Sequence, residues 1–257
     1  MNTNYLKRNA MHCVLYPLRL VPEGQLKRYI CKKILLIQNS VPLYLAVNSG
    51  DVAVQVGTPN IYTMKRYSRL AGRDGRVIII EAEPKNAESL KVALDSLPHN
   101  NVTIVCRGAW SKPGKMTLQK SDDFKGDHKL QVDDIYVDND YRTEFGTSVE
   151  IDVDTVDNIL REHDCESFDY LSITVNGAEL EVLKGAQLTL ENSPSCRIFS
   201  KGHARVGDVK DGKPLNQLIK HFFETLGIEC MVSRGEAGHS GLDHWKMREG
   251  DVFAWKG

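Results

Sequence analysis

The sequence predicts an α/β fold with a doubly wound, mostly parallel sheet of seven strands, the last of which is antiparallel. Short runs rich in Val and Ile alternate with helical patterns at a spacing of about 25 residues, and this order is typical of a parallel sheet with helices on both faces. The run VIII at residues 77–80 has no polar interruption, as expected of a strand that is buried on both sides.

The N-terminal segment predicts a basic amphipathic helix over residues 24–39. Residues 1–40 hold seven Lys or Arg and one Glu, so we expect a basic helical extension at 1–40 before a main domain at 41–257. The helix is expected to pack its apolar face on the edge of the sheet and to leave its lysines in water. Weak peripheral binding to an anionic membrane surface is the alternative. The two faces are Leu26, Tyr29, Ile30 and Ile34 against Lys27, Arg28, Lys32 and Lys33.

The middle of the chain alternates between predicted strands and helices. A short strand at 115–120 is followed by residues 121–148, which are rich in Asp and lack periodicity. We expect this segment to form a long surface excursion over the ligand end of the sheet. The other predicted strands are 52–57, 77–84 and 101–110, and the predicted helices are 60–71 and 86–97.

The clearest βα unit is FDYLSITVNGAELEVLKGA, at residues 168–186. Its apolar run at 170–175 predicts a strand, and a helical pattern of leucines follows directly. Ligands bind at the carboxyl ends of the strands in such sheets, so we expect the polar tip of this strand to border the site. The remaining predicted elements are a strand and helix at 149–163, a strand at 196–201, a helix at 215–227, and a closing antiparallel pair at 228–234 and 251–257.

The composition indicates a globular protein of the cell interior. The formal net charge is −1, which gives no global reason to expect a nucleic-acid partner. Six cysteines are scattered without C-x-x-C spacing, so we expect reduced, mostly buried thiols and a cytoplasmic location. No apolar run approaches the roughly 20 residues of a membrane span. The basic start lacks a small-residue cleavage site, so no signal peptide is expected.

The βα unit also carries a family resemblance. Its pattern resembles the signature of FkbM-type methyltransferases, which reads close to K-I-D-V-E-G-x-E-x-x-x-L-x-G. The resemblance covers residues 40–257 and implies the class I methyltransferase fold, which is Rossmann-like, with S-adenosylmethionine as cofactor. Ser172, Thr174 and Asn176 stand where the family has Lys, Asp and Glu. The matching positions are Ile173, Val175, Gly177, Glu179, Leu183 and Gly185.

The turn after the first strand is the predicted cofactor loop. Its sequence, starting at Gln55, resembles the family's D-V-G-A-N-x-G-x-x-T, which implies that Gln55, Gly57 and Thr58 contact the cofactor. Gln55 replaces the acid, Pro59 the Asn and Ile61 the second Gly. A tight connection between strand and helix, without a ligand, explains the same residues about equally well.

Two further segments are predicted to hold the nucleoside. Glu83 follows the second strand, where an acidic side chain can accept hydrogen bonds from both ribose hydroxyls. The family's E-P run matches Glu83 and Pro84. The alternative is that Glu83 caps the next helix. The segment after the third strand resembles the family's A-x-S-x-x-x-G pattern, with one residue fewer between Ser111 and Gly114, and the resemblance implies that Gly108 and Ala109 lie beside the adenine.

The methyl-transfer end lacks the family's carboxylates, because neither Thr174 nor Asn176 can act as a base near neutral pH. The predicted catalytic residues are therefore Asn176, Lys201 and His203. Three closing-loop residues are further candidates that could reach the same crevice: His239, His244 and Trp245. Three alternating acids suggest metal ligation, but a solvated face is favoured and no metal is expected: Asp152, Asp154 and Asp157.

These residues leave two main functions open. One is methyl transfer from S-adenosylmethionine to a hydroxyl of a small molecule or glycan. The other is a catalytically silent homologue that serves as a binding or partner-regulating module. It is motivated by four replaced family residues at one crevice: Gln55, Ile61, Thr174 and Asn176. The acceptor and the oligomeric state do not follow from these patterns.

Overall fold

The computed structural model describes residues 16–22, 25–38, 40–41, 46–57, 59–121, 129–130, 145–201, 214–232, 245–246 and 250–257. The strands are β1 (Ser40–Val41), β2 (Val52–Val56), β3 (Arg76–Glu81), β4 (Val102–Cys106), β5 (Gly108–Ala109), β6 (Gly114–Ser121), β7 (Lys129–Leu130), β8 (Phe145–Asp154), β9 (Tyr170–Ile173), β10 (Cys196–Ser200), β11 (Glu229–Val232), β12 (Trp245–Lys246) and β13 (Val252–Lys256). The helices are α1 (Gln25–Gln38), α2 (Ile61–Ala71), α3 (Pro84–Val92), α4 (Val156–Glu162), α5 (Glu179–Lys184), α6 (Gln187–Asn192) and α7 (Leu215–Thr225).

The main sheet has seven strands in the order β11-β13-β10-β9-β2-β3-β4. Strands β10, β9, β2, β3 and β4 are parallel, whereas β13 runs antiparallel to both of its neighbours. The prediction of a mostly parallel sheet closed by an antiparallel last strand is confirmed. Because successive strand residues face opposite sides, Val54 and Val56 join the core on one face and Ala53 joins the core on the other.

Helices cover both faces of this sheet. Helices α4, α5, α6 and α7 bury their apolar side chains in one core, and α1, α2 and α3 contribute to the other. The described residues include no helix that is long and apolar enough to cross a membrane. The doubly wound arrangement leaves the carboxyl ends of the parallel strands as the edge where a ligand can enter.

Helix α1 buries only part of the face that was expected to pack inward, since Ile30 and Ile34 contact the core and the other two apolar residues do not. Leu26 and Tyr29, predicted to be apolar contacts, are 65% and 58% exposed, whereas Ile34 is buried. Lys27 is buried as well, and its ammonium donates a hydrogen bond to Asn48. The expectation that all the lysines stay in water is therefore wrong for Lys27, whose aliphatic stem packs inward while its charged end reaches a polar partner.

A second sheet, with the order β5-β8-β6-β7, lies beside the main one and was not predicted. The predicted strand at 101–110 ends at Cys106, and Gly108–Ala109 pairs with β8 instead. Strand β8 starts at Phe145, inside the segment expected to lack structure, although much of that segment lies outside the described residues. One face of this sheet forms a small core with Trp110. The buried residues of β6 and β8 in that core are Leu118, Ile151 and Val153.

Candidate functional site

A cavity lies at the carboxyl ends of β2, β3, β4 and β9. Gly57, Glu81, Gly108 and Asn176, one from the end of each strand, form part of its wall, and Leu118 of β6 closes it from the second sheet. It encloses about 80 Å³. Pockets for cofactor-sized ligands commonly hold ~300–1,000 Å³. A ligand of that size would therefore extend beyond the described cavity.

Gly57 is required by the contact between two strand ends. Its φ is +91°, and a Cβ at this position would lie 2.4 Å from the carbonyl oxygen of Thr174. The amide of Gly57 donates to the carbonyl of Ile80, and the amide of Thr174 donates to the carbonyl of Val56, both at 2.9 Å. The turn after β2 is thus held directly against the tip of β9.

Gln55 lies beneath this turn and is not among the described residues that line the cavity. Its side chain is only 1% exposed. Its Nε2 donates to the carbonyls of Val56 and Gly57, at 3.0 and 3.2 Å, and to Oγ1 of Thr174, at 2.8 Å. Its Oε1 accepts a hydrogen bond from the Tyr67 hydroxyl at 3.1 Å. The side-chain amide of Gln55 therefore connects the ends of β2 and β9 and does not face the cavity.

The groups below Gln55 are neutral. Tyr67 and Tyr170 are fully buried, with ring centroids 6.0 Å apart. Burial holds the pKa of Tyr67 well above its usual range and raises the pKa of Tyr170 to about 12. Both phenols therefore stay protonated at neutral pH, and they add no charge beneath the cavity.

Glu81, which the sequence analysis missed, is the acidic residue on the cavity wall. It is the last residue of β3 and is 4% exposed. Its Oε1 accepts the amide of Glu83 at 2.7 Å. A carboxylate has about four acceptor positions, so it can accept further hydrogen bonds from a ligand. The sequence does contain a signal for Glu81, because the apolar run VIII ends at Ile80 and Glu81 is the first polar residue after it.

Glu83 has a different position from the one the ribose interpretation requires. Its Oε2 accepts the amide of Asn86 at 2.7 Å, which caps α3. Its Oε1 lies 2.6 Å from the ammonium of Lys120 on β6, and the side chain is 3% exposed. Glu83 is not among the described residues that line the cavity. The capping alternative accounts for its contacts, and Glu81 takes its place as the acidic candidate.

The segment after β4, the strand paired with β3, supplies the adjoining part of the wall. Gly108 and Ala109 line the cavity, as their predicted role requires, and a Cβ on Gly108 would lie 2.8 Å from Val153 Cγ1. Arg107 also lines it, and its Nη1 is paired with Glu162 at 3.0 Å and Asp154 at 3.2 Å. The hydrogen bond to Glu162 is the main reason that the pKa of Arg107 is raised.

The predicted catalytic residues are only partly brought together. Asn176 lines the cavity together with Thr174. Lys201 follows β10, and its amide donates to the carbonyl of Ile173 at 3.1 Å, but it is not among the described lining residues. The other predictions, Thr58, His203, His239 and His244, lie outside the described residues. Trp245 lies in β12 and pairs with Val41.

Two of the three alternating acids, Asp154 and Asp157, have structural partners. Both oxygens of Asp157 accept hydrogen bonds at the start of α6, from the amides of Leu188 and Thr189 at 3.1 and 2.8 Å. Asp154 accepts from the amide of Thr155 at 2.8 Å and pairs with Arg107. Within the described part of the chain, no group of His, Cys, Asp or Glu is arranged to hold a metal ion.

Comparison with known families agrees with this architecture. The family profile described as the methyltransferase FkbM domain matches residues 51–219. The chain belongs to the FkbM methyltransferase family. A protein-L-isoaspartate O-methyltransferase of Methanococcus aeolicus is 32% identical over 62 residues, which cover 24% of this chain and 29% of that enzyme. The match therefore spans less than a third of that relative's length.

Solved structures are similar to this chain at low sequence identity. Fibrillarin of Aeropyrum pernix, in complex with S-adenosyl-L-methionine, has a TM-score of 0.47 at 14% identity, covering 87% of this chain and 73% of fibrillarin. The O-methyltransferase of Bacillus cereus has a TM-score of 0.44 at 14% identity, covering 100% and 92% of the two chains. At these scores the similarities add nothing to the family assignment.

Four residues of this FkbM-family chain differ from the family pattern at the predicted crevice, and the structure places them differently. Thr174 and Asn176 are on the cavity wall, and Gln55 lies beneath it. Ile61 is the first residue of α2 and is 43% exposed, outside the described lining. The replacement of the family's second Gly by Ile61 therefore does not narrow the described cavity. The divergence that matters for a ligand is thus the loss of charge at the tips of β2 and β9.

Proposed function

We propose that this FkbM-family protein is an S-adenosylmethionine-dependent methyltransferase that transfers a methyl group to a hydroxyl of a small molecule or glycan. The observation that carries the proposal is Glu81, a buried carboxylate on the wall of a cavity at the carboxyl end of β3. It lies beside the glycine turn that follows β2. In a doubly wound sheet this is the position from which an acid binds ribose hydroxyls.

The residues on the cavity wall fit the nucleoside half of the cofactor. Glu81 would accept the ribose hydroxyls, and the backbone at Gly57 and Gly108 would border the ligand without side chains in the way. The bound cofactor would supply an electrophilic methyl group. Asn176 would then orient the acceptor hydroxyl through its amide, and Lys201 follows the neighbouring strand. The amide of Asn176 is neutral, so it can contribute positioning rather than proton abstraction, and the proton of the acceptor hydroxyl would be released to water.

A second candidate function is a catalytically silent binding module. It is favoured by the hydrogen bond between Gln55 Nε2 and Thr174 Oγ1, at 2.8 Å, which joins two positions where the family has carboxylates. The pair holds the two strand tips in place and leaves neither side chain able to accept a proton near neutral pH.

Calorimetric titration with S-adenosylmethionine tests the cofactor site. We expect micromolar binding by the wild type. Glu81→Ala should weaken it at least 100-fold, since a hydrogen bond to a charged group contributes about 1.5–3 kcal/mol and two are lost. Glu88→Ala, an exposed change on α3, is the matched control and should bind normally. Absence of wild-type binding at millimolar cofactor would refute the site.

A turnover assay then separates the two functions. The protein is incubated with S-adenosylmethionine and pools of hydroxylated small molecules and oligosaccharides, and release of S-adenosylhomocysteine is measured. Release that requires an acceptor and is lost in Glu81→Ala supports the enzyme. Tight cofactor binding without release from any pool would favour the binding module.

A further inference from the structure

One side of helix α1 presents large apolar side chains to solvent. Leu26 and Tyr29 lie three residues apart, and therefore on the same side of the helix, where they are 65% and 58% exposed. Ile34 and Lys27 are buried, so the packing of the helix against the core holds the other two side chains outward. Leu20, at the end of the short 3₁₀ helix that precedes α1, is 78% exposed as well.

The same stretch of chain is strongly basic. Residues 16–38 hold five Lys or Arg and one Glu, whereas the whole chain has a formal net charge of −1. The sequence of α1 contains four basic residues and no acidic one. Lys33 is exposed, and its ammonium lies 5.3 Å from the centre of the Tyr29 ring, one helical turn away. Apolar and cationic groups therefore share one exposed side of the helix.

An anionic lipid surface matches both properties. On such a surface, leucine and tyrosine side chains enter the boundary between headgroups and acyl chains, while the ammonium of a lysine stays among the phosphates. Lysine is depleted from protein–protein interfaces, which favours lipid over a second protein as the occupant. The combination of few apolar side chains and several cations is typical of peripheral, reversible binding.

We propose that the α1 face, formed by Leu20, Leu26, Tyr29 and Lys33, binds reversibly to an anionic membrane surface. The proposal is independent of the cofactor site. Each Lys or Arg close to an anionic bilayer strengthens binding about fivefold, and salt screens this attraction. The apolar side chains add a part that salt does not screen, so both kinds of group are needed.

Vesicle sedimentation with the full-length protein tests the proposal. Vesicles of phosphatidylcholine alone are compared with vesicles of phosphatidylcholine and phosphatidylserine in a two-to-one mixture. We expect the protein to sediment with the anionic vesicles, and NaCl at about 0.5 M should lower its partition coefficient at least tenfold. Equal binding to the two kinds of vesicle, or binding to neither, would overturn the proposal.

Two double variants separate this face from exposed apolar surface in general. Leu26→Gln with Tyr29→Gln keeps the charge and should lower the partition coefficient at least about tenfold, because two apolar side chains are lost from the contact. Val92→Gln with Leu188→Gln is the matched control, since these side chains are 75% and 53% exposed on α3 and α6. The control should bind like the wild type. Equal losses in the two double variants, or no loss in either, would contradict the proposal.

Two further measurements complete the test. Lys33→Gln should weaken binding to the anionic vesicles about fivefold and leave the apolar side chains in place. Sedimentation velocity then asks whether a second copy of the chain covers the face. A wild-type dimer that becomes a monomer in the Leu26→Gln, Tyr29→Gln variant would overturn the proposal. Thermal unfolding checks each variant, and the wild-type comparison of the two kinds of vesicle decides the question if a variant fails to fold.

Discussion

Replacing Gly57 with alanine should be among the most damaging small changes in the chain. A residue other than glycine at a φ of +91° pays about 1–2 kcal/mol. The added Cβ would also lie 2.4 Å from the carbonyl oxygen of Thr174, so the turn and the tip of β9 must separate. Overpacking of this kind costs about 1–3 kcal/mol. We therefore expect Gly57→Ala to lower the free energy of unfolding by about 2–5 kcal/mol.

Gly50 provides the matched control. Its φ is +90°, but a Cβ there would meet nothing within 4 Å. Gly50→Ala should therefore carry only the backbone cost, about 1–2 kcal/mol. Urea denaturation of the two variants, followed by circular dichroism, isolates the contact with Thr174 as the difference between them. Cofactor titration should show weaker binding for Gly57→Ala alone. Equal loss of stability in the two variants would refute the reasoning.

Three further changes test the surroundings of the cavity. Lys120→Met removes the ion pair of buried Glu83 and should cost about 1–3 kcal/mol in urea denaturation. Lys115→Met, in an exposed pair, should leave the midpoint of urea denaturation almost unchanged. Equal effects would contradict the role of burial. Tyr67→Phe leaves a buried amide oxygen without its donor and should cost about 1–3 kcal/mol by the same assay; a neutral result would argue against that hydrogen bond. Above pH 10 an unfolded tyrosine loses its proton while Tyr67 and Tyr170 keep theirs, so the folded state binds more protons and stability should fall by about 1.4 kcal/mol per pH unit for each, up to pH 12 or so. Tyr170→Phe should reduce that slope, and an unchanged slope would contradict the assignment.

The main sheet was predictable because its signals are local. Each parallel strand is a short apolar run buried on both faces, and each run is followed by a helix with its own periodicity. The second sheet was missed for the opposite reason. Gly108 pairs with Val153 across a long stretch of chain, and a strand of two residues carries no pattern of its own. Only the partner strand reveals that such a segment is a strand.

The choice between two acidic side chains also depends on contacts that are distant in the chain. Glu81 and Glu83 are two positions apart, and either satisfies a motif that asks for an acid after the second strand. The chain leaves the sheet after Glu81, so Glu81 remains on the cavity wall while Glu83 turns to cap α3 and meets Lys120. Strand termination, which depends on pairing with β4, decides between them.

The sequence alone determined the order of strands and helices in the main sheet, the family to which the chain belongs, and the loss of carboxylates at Gln55, Thr174 and Asn176. Tertiary structure alone decided what those losses mean. It placed Gln55 beneath the wall and tied its amide to Thr174, and it left Glu81 and Arg107 as the ionisable groups of the described wall. The physical reason is that apolar periodicity records which face of an element is buried, whereas the direction of a polar side chain at a strand tip depends on partners that are distant in the chain.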